Sequence, residues 1–221
     1  MFLVKKNLKN GFTLVELLVT ISIFVLLTGV VLFNQNNFNS SILLTNLAYD
    51  TALTIRQAQT YGINVKEFAT SSSATSQFVP YGVHFNIAQN KSFILFADID
   101  YDSSLRSSDG FYNSAGTTDL TKCQLAKGCV NRYNIQRGNH IKELCLGDVA
   151  KNNTNGTCVD GGGLHTDILD IVFTRPNPDA KIRVPPHSTL IPNATIILSN
   201  ADNTSFRYVH VAQNGLIEIK Y

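Results

Sequence analysis

The sequence predicts an α+β chain: a long amino-terminal helix, membrane-spanning in its first half and amphipathic in its second, leads into an antiparallel β-sheet or sandwich head. Three observations carry that prediction. The run from Phe12 to Phe33 is apolar apart from a few hydroxyls and holds a single charge, Glu16. No proline occurs before Pro80, and Gly29 is the only glycine between Phe12 and Tyr61, so nothing forbids one unbroken helix there. From Tyr81 onward, short β-type runs follow one another across turn residues with no helical period between them.

The composition is that of a globular protein, with 44% hydrophobic and 15% charged residues in 221, which excludes intrinsic disorder and collagen-like repetition. Basic and acidic residues number 18 and 16, too balanced to announce a nucleic-acid binder. Their placement says more than their sum. Lys5, Lys6 and Lys9 precede Gly11 with no acid among them. The apolar run that follows has 22 residues, and a helix of that length rises about 33 Å, the thickness of a bilayer's hydrocarbon core. Lysines on its amino-terminal side alone predict a cytoplasmic amino terminus and an exported body. A cleavable secretory signal is the plainer reading. Against it, the apolar core exceeds the roughly 7–15 residues of such signals, and Asn34-Gln-Asn-Asn37 follows instead of a small-x-small site.

A carboxylate within an apolar span costs on the order of 2.5–3.5 kcal/mol at mid-membrane and less near an end, so Glu16 calls for a partner. Its surroundings, Lys9-Asn-Gly11-Phe12-Thr-Leu-Val-Glu16-Leu-Leu-Val, resemble the class III signal of type IV prepilins and pseudopilins. The basic leader, the Gly-Phe junction and the glutamate four residues on all match. The resemblance implies that a prepilin peptidase cuts between Gly11 and Phe12 and methylates the new Phe12 amine, which Glu16 then neutralises during assembly. An ammonium at the membrane surface and a buried carboxylate lower each other's desolvation cost when subunits pack side by side. The expected organisation is a leader over 1–11, a helix over 12–62 that is transmembrane over 12–33, and an exported β-rich head over 63–221 with disulfide-tied loops. Loss of the leader lowers the basic residues from 18 to 15 against 16 acids.

The second half of the helix is amphipathic. Leu44, Leu47, Ala48, Thr51, Ala52, Ile55 and Ala58 recur at three-to-four spacing, with Asn46, Asp50, Arg56 and Gln57 elsewhere on the wheel. Gly62 reads as the stop. The Asn-rich stretch Asn34, Asn36, Asn37 and Asn39 contains poor helix formers and reads either as a kink or melting point or as an exposed junction at the bilayer surface.

After the polar tract 69–77, Tyr81–Ile87 and Ser92–Ala97 form a hairpin pattern around the turn 88–91. Further strands are expected at Tyr133–Gln136, Ile141–Leu146, Leu169–Thr174, Thr195–Ser199, Phe206–Ala212 and Leu216–Lys220, the last two flanking the hairpin signal Gln213-Asn-Gly215. This head resembles the GspH/FimT group of minor pilins and pseudopilins, on the strength of Tyr81-Gly-Val-His-Phe with Phe93–Asp98 and of the ending Ala194–Ser199 with Tyr208–Glu218. Cysteine-bearing insertions at roughly 103–131 and 147–166 depart from a minimal head of that kind.

Two constellations bear chemistry. Asp98, Asp100, Asp102 and Asp109 stand at positions one, three, five and twelve of a calcium loop, although Ser103 replaces the turn glycine, Arg106 takes the ninth position and the twelfth lacks the bidentate glutamate. A solvated acidic hairpin tip is the competing reading. Cys123, Cys129, Cys145 and Cys158 all fall in the exported part and form no Cys-x-x-Cys pair, so disulfides are expected. Three connectivities are open, and sequence proximity favours Cys123–Cys129 with Cys145–Cys158. The five histidines are scattered, and His84 and His210 on predicted strands read as packing or surface residues.

No catalytic constellation emerges, and no cofactor is required beyond the calcium that the aspartates would take. The expected function is therefore structural: a minor pilin or pseudopilin held as a single-pass protein in the cytoplasmic membrane until its helix enters a type IV pilus or type II secretion pseudopilus. Its partners would be the peptidase, that membrane and sibling subunits, with secreted cargo or DNA as ligands of the head. The alternative is an anchored extracytoplasmic calcium- or ligand-binding module that does not polymerise. A permanent anchor has no use for Glu16.

Overall fold

A computed structural model describes residues 11–64, 66–68, 77–99, 110–112, 128–147, 156–158, 164–185 and 187–221. The chain forms one helix, α1 (Leu14–Ile63), and then only strands and a single 3₁₀ turn among the described residues. It divides into two compact units, Met1–Ser40 and Ser41–Tyr221.

In the first unit, Leu14–Leu32 is long and apolar enough to cross a membrane, and its side chains are exposed all round. The hydroxyls within it do not face outward unpaired. Thr20 donates to the Leu17 carbonyl (2.8 Å), Ser22 to Leu18 (2.8 Å) and Thr28 to Phe24 (2.7 Å), which hides their polarity against the helix's own backbone. Helical structure continues through residues 34–39, so the asparagines are not a melting point.

In the second unit, the helix buries Leu44, Leu47, Ala48, Thr51, Ala52, Ile55 and Ala58, the apolar face expected from the period. The helix ends at Ile63, one residue past the expected stop at Gly62. A Cβ there would collide with the Phe173 carbonyl, so the glycine exists for close approach of helix to strand.

The strands are β1 (Glu67–Phe68), β2 (Gln77–Phe78), β3 (Tyr81–Asn86), β4 (Ser92–Ala97), β5 (Cys129–Asn134), β6 (His140–Leu146), β7 (Leu164–Thr166), β8 (Ile168–Phe173), β9 (Ala180–Val184), β10 (His187–Ile191), β11 (Asn193–Ser199), β12 (Phe206–Ala212) and β13 (Ile217–Lys220). All pairings are antiparallel. A six-stranded sheet has the order β10-β9-β8-β3-β4-β5 and a five-stranded sheet the order β13-β12-β11-β6-β7, while β1 and β2 make a separate ribbon.

One hydrophobic cluster joins the inner faces of both sheets to the helix, with Val83, Phe85, Leu95, Ile171 and Ile182 from the first sheet and Ile141, Leu144, Ile196 and Val209 from the second. Five strands were not expected from sequence: β1, β2, β7, β9 and β10. The outer faces are also covered. Tyr112 packs with Ile94, Phe96, Cys129 and Val172 on the six-stranded sheet, and Cys158 with Cys145, Ile197 and Tyr208 on the five-stranded one. Each sheet thus carries a short strap, 110–112 or 156–158, returned onto it from one of the two insertions.

Candidate functional site

Gly11, Phe12 and Thr13 lie outside the helix, and all three are exposed, Phe12 to 77%. The helix starts because Thr13 caps it. The Thr13 hydroxyl oxygen accepts the Glu16 backbone N–H (3.3 Å), and the Thr13 carbonyl accepts the Leu17 N–H (3.1 Å), the first bond of the helical ladder. Thr13-Leu-Val-Glu16 therefore has the spacing of a capping box, with Glu16 as the acid in the first turn. There the positive end of the helix dipole favours a carboxylate before any partner arrives. The helix begins two residues later than the junction at Phe12, leaving the Gly11–Phe12 bond in unwound chain.

The aspartates divide. Asp98 is 2% exposed and follows β4, where its Oδ2 accepts the Gly110 N–H at 3.0 Å. That contact fastens a strap rather than leaving the carboxylate at an open loop tip. Asp100, Asp102 and Asp109 lie outside the described residues.

Cys145 and Cys158 form a disulfide with Cα atoms 5.4 Å apart. Cys129 is disulfide-bonded as well, and Cys123 lies outside the described residues. Glu143 approaches the Cys145–Cys158 bond closely enough to suggest a metal cluster, but both sulfurs are oxidised and the carboxylate already accepts the Cys158 N–H at 3.0 Å. Bridge and carboxylate together hold the 156–158 strap.

His84 is not a routine packing residue. Its Nδ1 lies 2.6 Å from Oδ1 of Asp170, which is fully buried, and the other Asp170 oxygen accepts the Tyr112 N–H at 3.3 Å. Strand register sets Arg183, Asp170, His84, Ile94 and Arg132 in one row across β9, β8, β3, β4 and β5. Tyr112 lies over this row with its ring 5.0 Å from the His84 ring and 5.3 Å from that of Phe96, and the Arg183 guanidinium sits 5.6 Å from the Phe111 ring. Burial pushes the Tyr112 phenol's pKa up. Sequence reasoning missed this arrangement, although its signal was present: two adjacent strands, Tyr81-Gly-Val-His-Phe and Ile168-Leu-Asp-Ile-Val-Phe, carry a lone imidazole and a lone carboxylate among otherwise apolar and aromatic residues.

Neither this row nor the second histidine contact has the form of a catalytic site. His210 Nδ1 is 3.1 Å from the Thr195 hydroxyl, but Thr195 is 1% exposed and donates its hydrogen to the Gly147 carbonyl (3.0 Å), so it closes a buried polar gap. A cleft of about 360 Å³ lies between the helix and the edge strand β13, lined by Tyr49, Leu53, Arg56, Ile217, Ile219 and Tyr221. Its walls are tied by the Tyr49–Tyr221 hydroxyl contact (3.0 Å) and by Arg56 donating to the Ile217 carbonyl (3.3 Å).

Compared with known families, residues 6–32 match the prokaryotic N-terminal methylation motif. No curated protein gives a significant match. No solved structure does either. The matched segment contains Lys6 and Lys9, the Gly11–Phe12 junction, the Thr13 cap, Glu16 and the apolar helix, and it ends before the β head begins.

Proposed function

We propose that this chain is a minor pilin or pseudopilin, a structural and non-enzymatic subunit that a prepilin peptidase cleaves between Gly11 and Phe12 and methylates at Phe12. The methylation motif over residues 6–32 carries the reading. It is supported by an unwound, exposed Gly11–Phe12 bond, by Glu16 in the first helical turn and by an apolar helix exposed all round. In this reading residues 12–33 anchor the subunit in the cytoplasmic membrane with the amino terminus inside and the β head outside. The helix then leaves lipid for the helices of sibling subunits, and Glu16 meets a methylated Phe12 amine at the growing end. The head offers an outer surface to other minor subunits, to secreted cargo or to DNA. Placement near the GspH/FimT group rests on the sequence resemblance of the head alone.

Intact-mass measurement of the chain recovered from its own membranes tests the proposal. The expected product begins at Phe12 and carries one methyl group. A product that keeps residues 1–11, or one cut beyond residue 33, overturns it.

A further inference from the structure

The start of α1 is set by a competition for one backbone hydrogen. In an uninterrupted helix the Glu16 N–H would bond the Phe12 carbonyl, four residues back. Here it goes to the Thr13 hydroxyl at 3.3 Å, while the Leu17 N–H goes to the Thr13 carbonyl at 3.1 Å. The hydroxyl thus takes the donor that would otherwise wind Phe12 into the first turn. Among the described residues no packing holds the segment unwound, because Phe12 and Leu14 are exposed and a Cβ at Gly11 would meet nothing within 4 Å. Winding one residue further would also bring the Val15 N–H to the Gly11 carbonyl, the acyl side of the Gly11–Phe12 bond, and a peptide bond whose carbonyl is engaged and whose faces are covered by the neighbouring turn is withdrawn from attack.

We propose that Thr13 is a positioning residue for the processing cut: its hydroxyl caps α1 so that the Gly11–Phe12 bond stays in unwound chain where a peptidase reaches it. The role rests on the processing proposed above. It is separate from that of Glu16, whose side chain serves assembly and whose backbone N–H is what Thr13 holds. Thr13 acts through helix geometry and touches none of the reacting atoms.

The test uses the full-length chain in detergent micelles with a prepilin peptidase and compares initial cleavage rates for wild type, T13V, T13S and T13N. Valine keeps threonine's shape without the hydroxyl, whereas serine and asparagine are both capping residues and differ in shape. T13V is expected to be cut about fivefold more slowly, the factor that loss of an N-cap represents, with T13S and T13N within about twofold of wild type. Backbone chemical shifts of Phe12 and Thr13, measured without peptidase, are expected to turn helical in T13V alone. Cleavage of T13V at the wild-type rate overturns the proposal, and so does slow cleavage of T13S and T13N alike, which would assign the effect to side-chain recognition. A wild-type chain that is not cut at all overturns the processing reading instead, and the chemical shifts still decide whether Thr13 sets the helix start.

Discussion

His84 and Asp170 face each other across β3 and β8 with Nδ1 and Oδ1 2.6 Å apart, and through the second oxygen of Asp170 that pair holds the backbone of Tyr112. A carboxylate with no exposure is tolerable only while its partners remain. Asp170→Ala would strand the His84 ring nitrogen and the Tyr112 N–H together. We expect the change to cost about 3 kcal/mol in denaturant unfolding and to speed hydrogen exchange at the Tyr112 amide. Asp170→Asn, which keeps an acceptor in place, should cost less. An alanine variant within about 0.5 kcal/mol of wild type, the range of an uninvolved surface change, would remove the pair from the account.

The Cys145–Cys158 bridge closes a separation of 13 residues. Constraint of the unfolded chain by a loop of that size amounts to roughly 3 kcal/mol. The double alanine variant should lose about that much, measured by unfolding under non-reducing conditions, and the 156–158 strap should become accessible to protease. Unchanged stability would show that the Glu143 carboxylate and the Ile197–Tyr208 packing hold the strap unaided.

At Gly62 two effects oppose each other. Alanine is the better helix former by roughly 1 kcal/mol, but its Cβ would strike the Phe173 carbonyl, a backbone atom of a central strand that cannot swing away. The collision dominates, and Gly62→Ala is expected to destabilise by about 1–3 kcal/mol. A rise in melting temperature would reverse that ranking.

Tyr81 supplies a pH dependence. Burial, reinforced by the nearby Tyr61 phenol, pushes its pKa up to about 12 from a model-compound value of 10.0. Folding therefore keeps a proton that the unfolded chain gives up, and the stability this contributes is full below about pH 10 and is lost as pH climbs through about 12. Denaturant midpoints measured from pH 9 to pH 12 should fall less steeply for Tyr81→Phe than for wild type. Parallel curves would show that the phenol does not respond to its surroundings in this way.

Glu16→Ala is expected to leave cleavage at Gly11–Phe12 intact and to keep the subunit out of filaments, because the helix would then carry no carboxylate to meet a Phe12 amine. Mass measurement reads the first outcome, and the share of subunit recovered with sheared filaments reads the second. Efficient incorporation of the variant would end the assembly role assigned to Glu16.

Legibility in the sequence followed the physical source of each feature. The buried helix face around Leu44, Ala48, Ile55 and Ala58 was readable because a 3.6-residue period leaves a direct imprint. The strands β3, β4, β8, β11 and β12 were readable from β-branched and aromatic runs. Pro185, Pro186 and Pro192 masked β10, since proline removes ladder donors, and the sheet order shows why it is tolerated there: β10 is an edge strand. β7 has only three residues and escaped notice for that reason. The straps were invisible because their fastenings join residues far apart in the chain, Tyr112 to Asp170 and Cys158 to Glu143, and no local period records such a contact. Even the Thr13 cap, a local device, was hidden by the stronger signal of the apolar run that it opens.

The apolar cylinder from Leu14 to Leu32 has no preferred side. Its aliphatic residues point in every direction, and its hydroxyls are folded back onto their own carbonyls. Such a surface offers a neighbour no polar group that would favour one azimuth over another. Glu16 is the single mark that breaks this symmetry. One carboxylate therefore gives the segment a bearing, and in the assembly proposed above it would fix the rotational phase at which each new rod settles among the others.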